Sequence, residues 1–225
     1  MSRVIVRGIG WLAGGEYGCI SRGERSRLEG DPADAGSRKG LFTHPFKNFG
    51  RLDRLSRMTA AGISLALRDG AISYSPEQKQ DIGIIGTGSA GSLATDLRFF
   101  RDYVESGRKL ARGGLFIYTL PSSPLGEAAI HFGLLGPLFY LAAGNASPGV
   151  VFDAAEVLLL QDEAEAMLAG IAGEDAALYC LLMKDGGAPE QRLCDLSAAR
   201  RIAAQGPFPD MVTAFQELKK EKDKS

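Results

Sequence analysis

Imidazole and thiol are scarce in this sequence: two histidines, His44 and His131, and three cysteines, Cys19, Cys180 and Cys194, are spread over 225 residues. No two of them stand at a metal-ligand spacing, so the sequence offers no metal site. Three cysteines so far apart also make no disulfide framework and read as reduced thiols. Cys180, inside the apolar run 177–183, reads as a small buried hydrophobe. An excess of one charge is missing too. The 26 bases and 27 acids leave a formal net charge of -1, and no general field draws nucleic acid or an anionic membrane. No apolar run approaches the roughly 20 residues of a membrane span. The N-terminal stretch is interrupted by Arg7 and glycines, unlike a signal peptide. These absences lead us to expect a cytoplasmic protein. An internal repeat is absent as well.

What is present is the material of one α/β domain over residues 1–225. Residues 3–9 read as a first strand, followed by a polar surface loop over 21–40. Asp53 caps a helix whose apolar positions Leu55, Met58, Gly62 and Leu65 put one face on a sheet until Asp69-Gly70 ends it. Residues 81–86 form a short strand, and 93–106 have helical spacing with Leu97, Phe100 and Val104 facing inward. A strand is expected over 115–118, a loop over 118–124 and a short helix over 126–132. The strand 138–143 then runs into the turn Gly144-Asn145-Ala146-Ser147-Pro148. Pro148 suits the first helical position and Asn145 or Ser147 the cap. The helix after it, 149–162, is apolar around most of its girth, as a helix buried on both sides must be. Strands over 166–171 and 177–183 complete a mixed sheet of about five strands flanked by helices. Residues 217–225 are a charged tail, read as a solvated helix end.

Two constellations invite chemistry. Gly86-Thr87-Gly88-Ser89-Ala90-Gly91 fits G-x-G-x-x-G after a strand and before a helix, the setting of a dinucleotide loop. It lies on an interior strand, however, and the next expected strand ends at Thr119 where an acidic residue would hold a ribose. Small residues that let a helix approach the sheet are the better reading, and no cofactor is expected. Ser122, Ser123 and Ser147 with His131 contain parts of a Ser-His-Asp hydrolase, but none stands in a G-x-S-x-G elbow and no carboxylate is placed by motif. A histidine in the run 128–132 reads as a packing residue.

The order of these pieces resembles the β-ketoacyl synthases. Residues 49–56, Phe-Gly-Arg-Leu-Asp-Arg-Leu-Ser, resemble the opening of an early helix of that family. Residues 84–91 are similar to its second-strand glycine motif, 131–139 to its approach to the nucleophile strand, and 166–175 to its fourth strand and following turn. The resemblance spans residues 3–185 and implies a thiolase-like fold, the N-terminal half-domain alone. It places the family's catalytic cysteine at Asn145. It also implies that the two catalytic histidines belong to a second half, which neither His44 nor His131 matches.

The resemblance therefore implies a chain that is not a competent condensing enzyme by itself. At such a turn, backbone N–H groups and the helix dipole lower a thiol pKa and bind an oxyanion. Asn145 keeps that setting but cannot be acylated, and acts either as a cap alone or as the remnant of a ligand site. The function to expect is a non-condensing partner, paired with itself or with a full-length synthase, or a module that contacts acyl carrier protein. The family's dimer pairs the strand before the nucleophile, which implies an interface at Leu138, Phe139, Tyr140 and Leu141. The alternative is an acyltransferase or thioesterase that uses Ser147, Ser122 or Cys19.

Overall fold

The computed structural model describes residues 3–31, 33–34, 40–109, 111–142, 148–187, 192–204 and 208–224. The longest apolar runs become the centre of the sheet: β1 (Val4–Ala13), β4 (Ile82–Thr87), β6 (Ala166–Ala172) and β7 (Ala176–Lys184). Runs of this kind suit strands covered on both faces. Along β7, Ala177, Tyr179 and Leu181 enter one core, while Leu178, Cys180 and Leu182 enter the other. That alternation is the period of a strand between two layers.

Helices α1 (Arg54–Asp69) and α4 (Ser123–Phe132) build the first core. The second is built by α5 (Pro148–Leu160), α6 (Leu196–Ala203) and α7 (Phe208–Lys222). The expected strand count is too low. Eight strands form one sheet in the order β3-β2-β1-β7-β6-β4-β5, with β8 (Cys194–Asp195) beside β1. The added strands β2 (Glu16–Cys19), β3 (Glu24–Arg27) and β8 are short, and β3 is wholly polar. Part of the polar segment 21–40 is therefore an edge strand rather than loop. β4 lies parallel to β5 (Leu138–Tyr140) and to β6, while the other pairs are antiparallel.

Helix α1 starts where its cap predicts, the Asp53 carboxylate accepting from Ser56 N at 2.9 Å. It is buried on nearly every side rather than on one face. The reason is a close approach to β1: a Cβ on Gly10 would lie 2.2 Å from Ala66 N, and one on Gly8 2.3 Å from Gly70 N. At the helix end the buried Asp69 carboxylate accepts from Ile9 N at 2.6 Å, Ser21 N at 2.9 Å and Arg22 N at 3.0 Å. One side chain thus ties α1 to the β1–β2 hairpin. Burial pushes its carboxyl pKa up, and the three N–H bonds oppose that.

Two expectations between β4 and β5 fail. Residues 115–118 are not a strand; they belong to a short helix α3 (Gly113–Phe116) and a 3-10 turn (Ile117–Thr119). Helix α2 (Leu93–Glu105) forms as its spacing predicts, but Leu97, Phe100 and Val104 point to solvent, 56%, 62% and 40% exposed. Helix α5 is likewise covered on one side only. Val151, Phe152, Ala155 and Leu159 are buried, while Val150, Val157 and Leu160 are exposed. The charged segment 217–222 continues α7, which docks through Met211, Val212 and Phe215.

Candidate functional site

The segment between β5 and α5 contains Gly144, Asn145, Ala146 and Ser147, which lie outside the described residues; the elements on either side of it are described. β5 is short because it is an edge strand held by one neighbour. Ile84 N donates to Pro137 O at 2.8 Å and Leu141 N to Gly86 O at 2.9 Å. With that register the main-chain groups of Pro137, Phe139 and Leu141 face β4. Those of Leu138 and Tyr140 face the open edge of the sheet.

Two side chains fasten the strand end where the turn departs. Thr87 Oγ1 donates to Leu141 O at 2.7 Å, and the Tyr140 hydroxyl donates to Gly88 O at 3.0 Å. Beneath them Tyr179 of β7 is fully buried, its hydroxyl in hydrogen-bond contact with Thr59 of α1. Burial pushes both tyrosine pKa values up, so both hydroxyls stay protonated at neutral pH. Between these groups, Leu125 of α4 and Ala172 of β6 there is a cavity of about 10 Å³. That is the space of one water molecule. Among the described residues, the end of β5 is thus tightly packed against α4, β6 and β7.

The G-x-G-x-x-G loop belongs to this packing. A Cβ on Gly86 would meet Leu125 Cδ2 at 2.8 Å and one on Gly88 would meet Ala172 O at 2.5 Å. The glycines are required by the contact of the loop with α4 and β6, which is reason enough for their presence. Ser92, at the start of α2, turns its hydroxyl to Thr119 O at 2.7 Å and to Asp96 Oδ2 at 3.0 Å.

The other candidates are not assembled into a catalytic group. Ser123 and His131 stand eight positions apart on α4, about 12 Å along the helix axis, too far for proton transfer. Ser123 Oγ donates instead to Ile117 O at 2.5 Å, and Ser122 holds the N-cap position of α4. Cys19 is buried with its thiol toward Leu65 O at 3.5 Å, and burial raises its pKa to about 12. Such a thiol holds almost no thiolate at neutral pH. Cys194, also buried, is raised to about 12 in the same way, and burial pushes the Cys180 thiol well above its ordinary range. Among the described residues no group of three His, Cys, Asp or Glu side chains is placed to hold a metal ion.

His131 is part of a cage that sequence reasoning missed. Its ring stacks on Phe46 at 3.9 Å, with His44 at 4.2 Å and Phe42 at 5.4 Å between centroids. The Nε2 atoms of both histidines are buried without a hydrogen-bond partner. Burial, and then the neighbouring His44, lower the His131 pKa to about 4. The signal for the cage is the density of Phe42, His44, Phe46 and Phe49 just ahead of the Asp53 cap, of which the sequence reading uses only Phe49.

No family model matches the sequence, and no curated protein does. Solved structures match the fold. The ishigamide ketosynthase/chain length factor aligns with a TM-score of 0.61 at 17% identity, over 83% of this chain and 63% of that one. A type II polyketide acyl-carrier protein in complex with its ketosynthase gives 0.56 at 13% identity, over 81% and 58%. A ketosynthase in complex with its chain length factor, from Xenorhabdus doucetiae, gives 0.53 at 15% identity, over 82% and 80%. The chain spans about three fifths of the first two. It has a ketosynthase-like thiolase fold.

Proposed function

We propose that this chain is a non-condensing member of a ketosynthase pair in polyketide or fatty acid biosynthesis, one that associates with a ketosynthase rather than forming carbon–carbon bonds. The observation that supports the reading is the tight packing at the end of β5, where Tyr140, Tyr179 and Leu125 leave about 10 Å³. Asn145, at the position the resemblance gives to the nucleophile, adds a residue that cannot be acylated. A condensing site needs both the nucleophile and space for the acyl group it carries.

The open edge of β5 supports the pairing half of the proposal. Leu138 and Tyr140 present main-chain donors and acceptors there, and Phe139, 49% exposed, lies on the face shared with the uncovered Val150 and Val157 of α5. An apolar edge of this kind takes up another strand. The chain length factor complex and the acyl-carrier protein complex among the structural neighbours supply the class of partner: a ketosynthase first, a carrier protein second.

Incubation with acyl-CoA or acylated carrier protein, followed by intact-protein mass spectrometry, tests the reading. No adduct is expected. A stable acyl adduct overturns it in favour of an acyltransferase or thioesterase, and peptide mapping then shows whether Ser147, Ser122 or Cys19 carries the group.

A further inference from the structure

Leu41 and Phe42, ahead of α1, and Ile72 and Tyr74, just after it, are apolar side chains that neither the catalytic candidates nor the β5 edge uses. They meet at the C-terminal end of α1 and line a groove of about 680 Å³ with Arg22, Ser64 and Arg68. Sites for small ligands occupy roughly 300–1,000 Å³. The other end of α1, where the Asp53 cap meets Thr95 of α2, is 16 residues away. That is about 24 Å along the helix, so the groove is separate from the segment between β5 and α5.

The bed of the groove is apolar and preformed. Ser64 Oγ, buried in α1, donates to Leu41 O at 2.7 Å and lies 2.9 Å from the Tyr74 hydroxyl, which accepts from Thr43 N at 3.1 Å. These bonds use the Ser64 and Tyr74 hydroxyls and fasten residues 41–43 to α1. What remains for a ligand is the surface of Leu41, Phe42, Ile72 and the Tyr74 ring. The Phe42 and Tyr74 rings are backed by Phe132, at 6.2 and 4.7 Å between centroids. A wall held in this way loses little freedom when it is covered.

The rim is cationic. Arg22 is anchored to the end of α1 twice, through its N–H to Asp69 Oδ1 at 3.0 Å and its Nε to Arg68 O at 3.0 Å. Arg68 Nη1 donates to Gly40 O at 3.4 Å. The two guanidiniums share one carboxylate, Glu24 of β3, which lies 2.8 Å from Arg68 Nη2 and 3.9 Å from Arg22 Nη1. The Glu24 and Arg68 side chains are 37% and 42% exposed. Ion pairs so open to water are weak and easily exchanged, and no acid lines the groove itself. We propose that the groove binds an apolar carboxylate of the fatty acid class, its chain on Phe42, Ile72 and Tyr74 and its carboxylate on Arg22 and Arg68 in place of Glu24. A small polyanion would leave the apolar bed wet, and a neutral hydrocarbon would leave the guanidiniums unused. The site does not depend on the pairing reading.

Calorimetric titration of the purified chain with decanoate tests it, with 1-decanol as the neutral match and butyrate as the short one. Decanoate is expected to bind once per chain, and each match ~10-fold more weakly or worse. Arg68→Met keeps the stem, removes the guanidinium and should weaken decanoate ~10-fold with thermal melting unchanged. Glu24→Gln removes the competing carboxylate and should tighten it ~3-fold at low salt. Decanoate that binds wild type and Arg68→Met alike overturns the site, as does 1-decanol bound as tightly as decanoate, or no decanoate binding at all. A Glu24→Gln variant that binds decanoate more weakly than wild type overturns the placement of the carboxylate.

Discussion

Helices α1 and α2 carry apolar residues at the same three-and-four spacing, Leu55, Met58, Gly62 and Leu65 in one and Leu93, Leu97, Phe100 and Val104 in the other, yet they end in opposite environments. The first lies between β1, β7 and α4, with Ile63, Leu65 and Leu67 fully buried. The second touches α3 through Phe99 and the α1 cap through Thr95, and leaves the stripe in water. Amphipathic spacing says which residues share a face. What covers that face depends on whether another part of the same chain reaches it. In α1 the apolar surface stabilises the fold; in α2 it is left uncovered by the described residues.

The comparison breaks most sharply at the α1–β1 contact. Gly10→Ala places a methyl 2.2 Å from the backbone of α1 and is expected to cost more than ~4 kcal/mol, enough to leave little folded protein in urea titrations. A cost under ~1 kcal/mol would mean that α1 is loosely seated. Next comes truncation inside each helix. Ile63→Ala in α1 is expected to lose ~3 kcal/mol, whereas Phe100→Ala in α2 should lie within ~0.5 kcal/mol of wild type by the same measurement. Equal losses would erase the distinction between the two helices.

Acid sharpens the comparison on the buried side, because His131 sits where α4 meets the aromatic cage. Its pKa is about 4 in the folded chain against an ordinary 6.5. Between those values the unfolded chain binds a proton that the folded chain does not. Stability therefore falls as the pH is lowered through that window, by up to ~3 kcal/mol. His131→Phe should flatten this limb in urea titrations run from pH 7 to 4; an unchanged slope would place its origin elsewhere. A modest effect is expected at the joint between the helices. Thr95→Val removes the bond to Asp53 and should cost ~1 kcal/mol, seen as earlier hydrogen exchange in α2 but not in α1.

Much of the buried half was legible. Asp53 and Asp69-Gly70 bracket α1 to the residue, and the apolar runs of β4, β6 and β7, bounded by turn residues, read as strands. The polar strands β2 and β3 were not legible, because an edge strand needs no apolar pattern and charged residues suit it. Residues 115–118 read as a strand because four apolar residues carry no period that separates strand from helix. The inward assignment of α2 and the two-sided burial of α5 failed for a shared reason: apolar girth records what needs cover, not where the cover comes from. At the candidate site the apolar strand 138–143 was legible, though β5 itself ends at Tyr140. The filling of its wall by Tyr179 from β7 was not, since strands far apart in sequence meet only in the sheet. Asn145 and Ser147 lie outside the described residues.

The two ends of the sheet differ in kind. At β3 the last strand reads Glu24-Arg25-Ser26-Arg27, with Arg25 in an ion pair to Glu16 of β2; a strand approaching there meets charge. At β5 it meets Leu138, Phe139 and Tyr140. A sheet that repels at one border and accepts at the other is joined once and then stops growing. Any pairing at β5 leaves this chain's own remaining border charged, so the assembly ends there instead of running on into a filament.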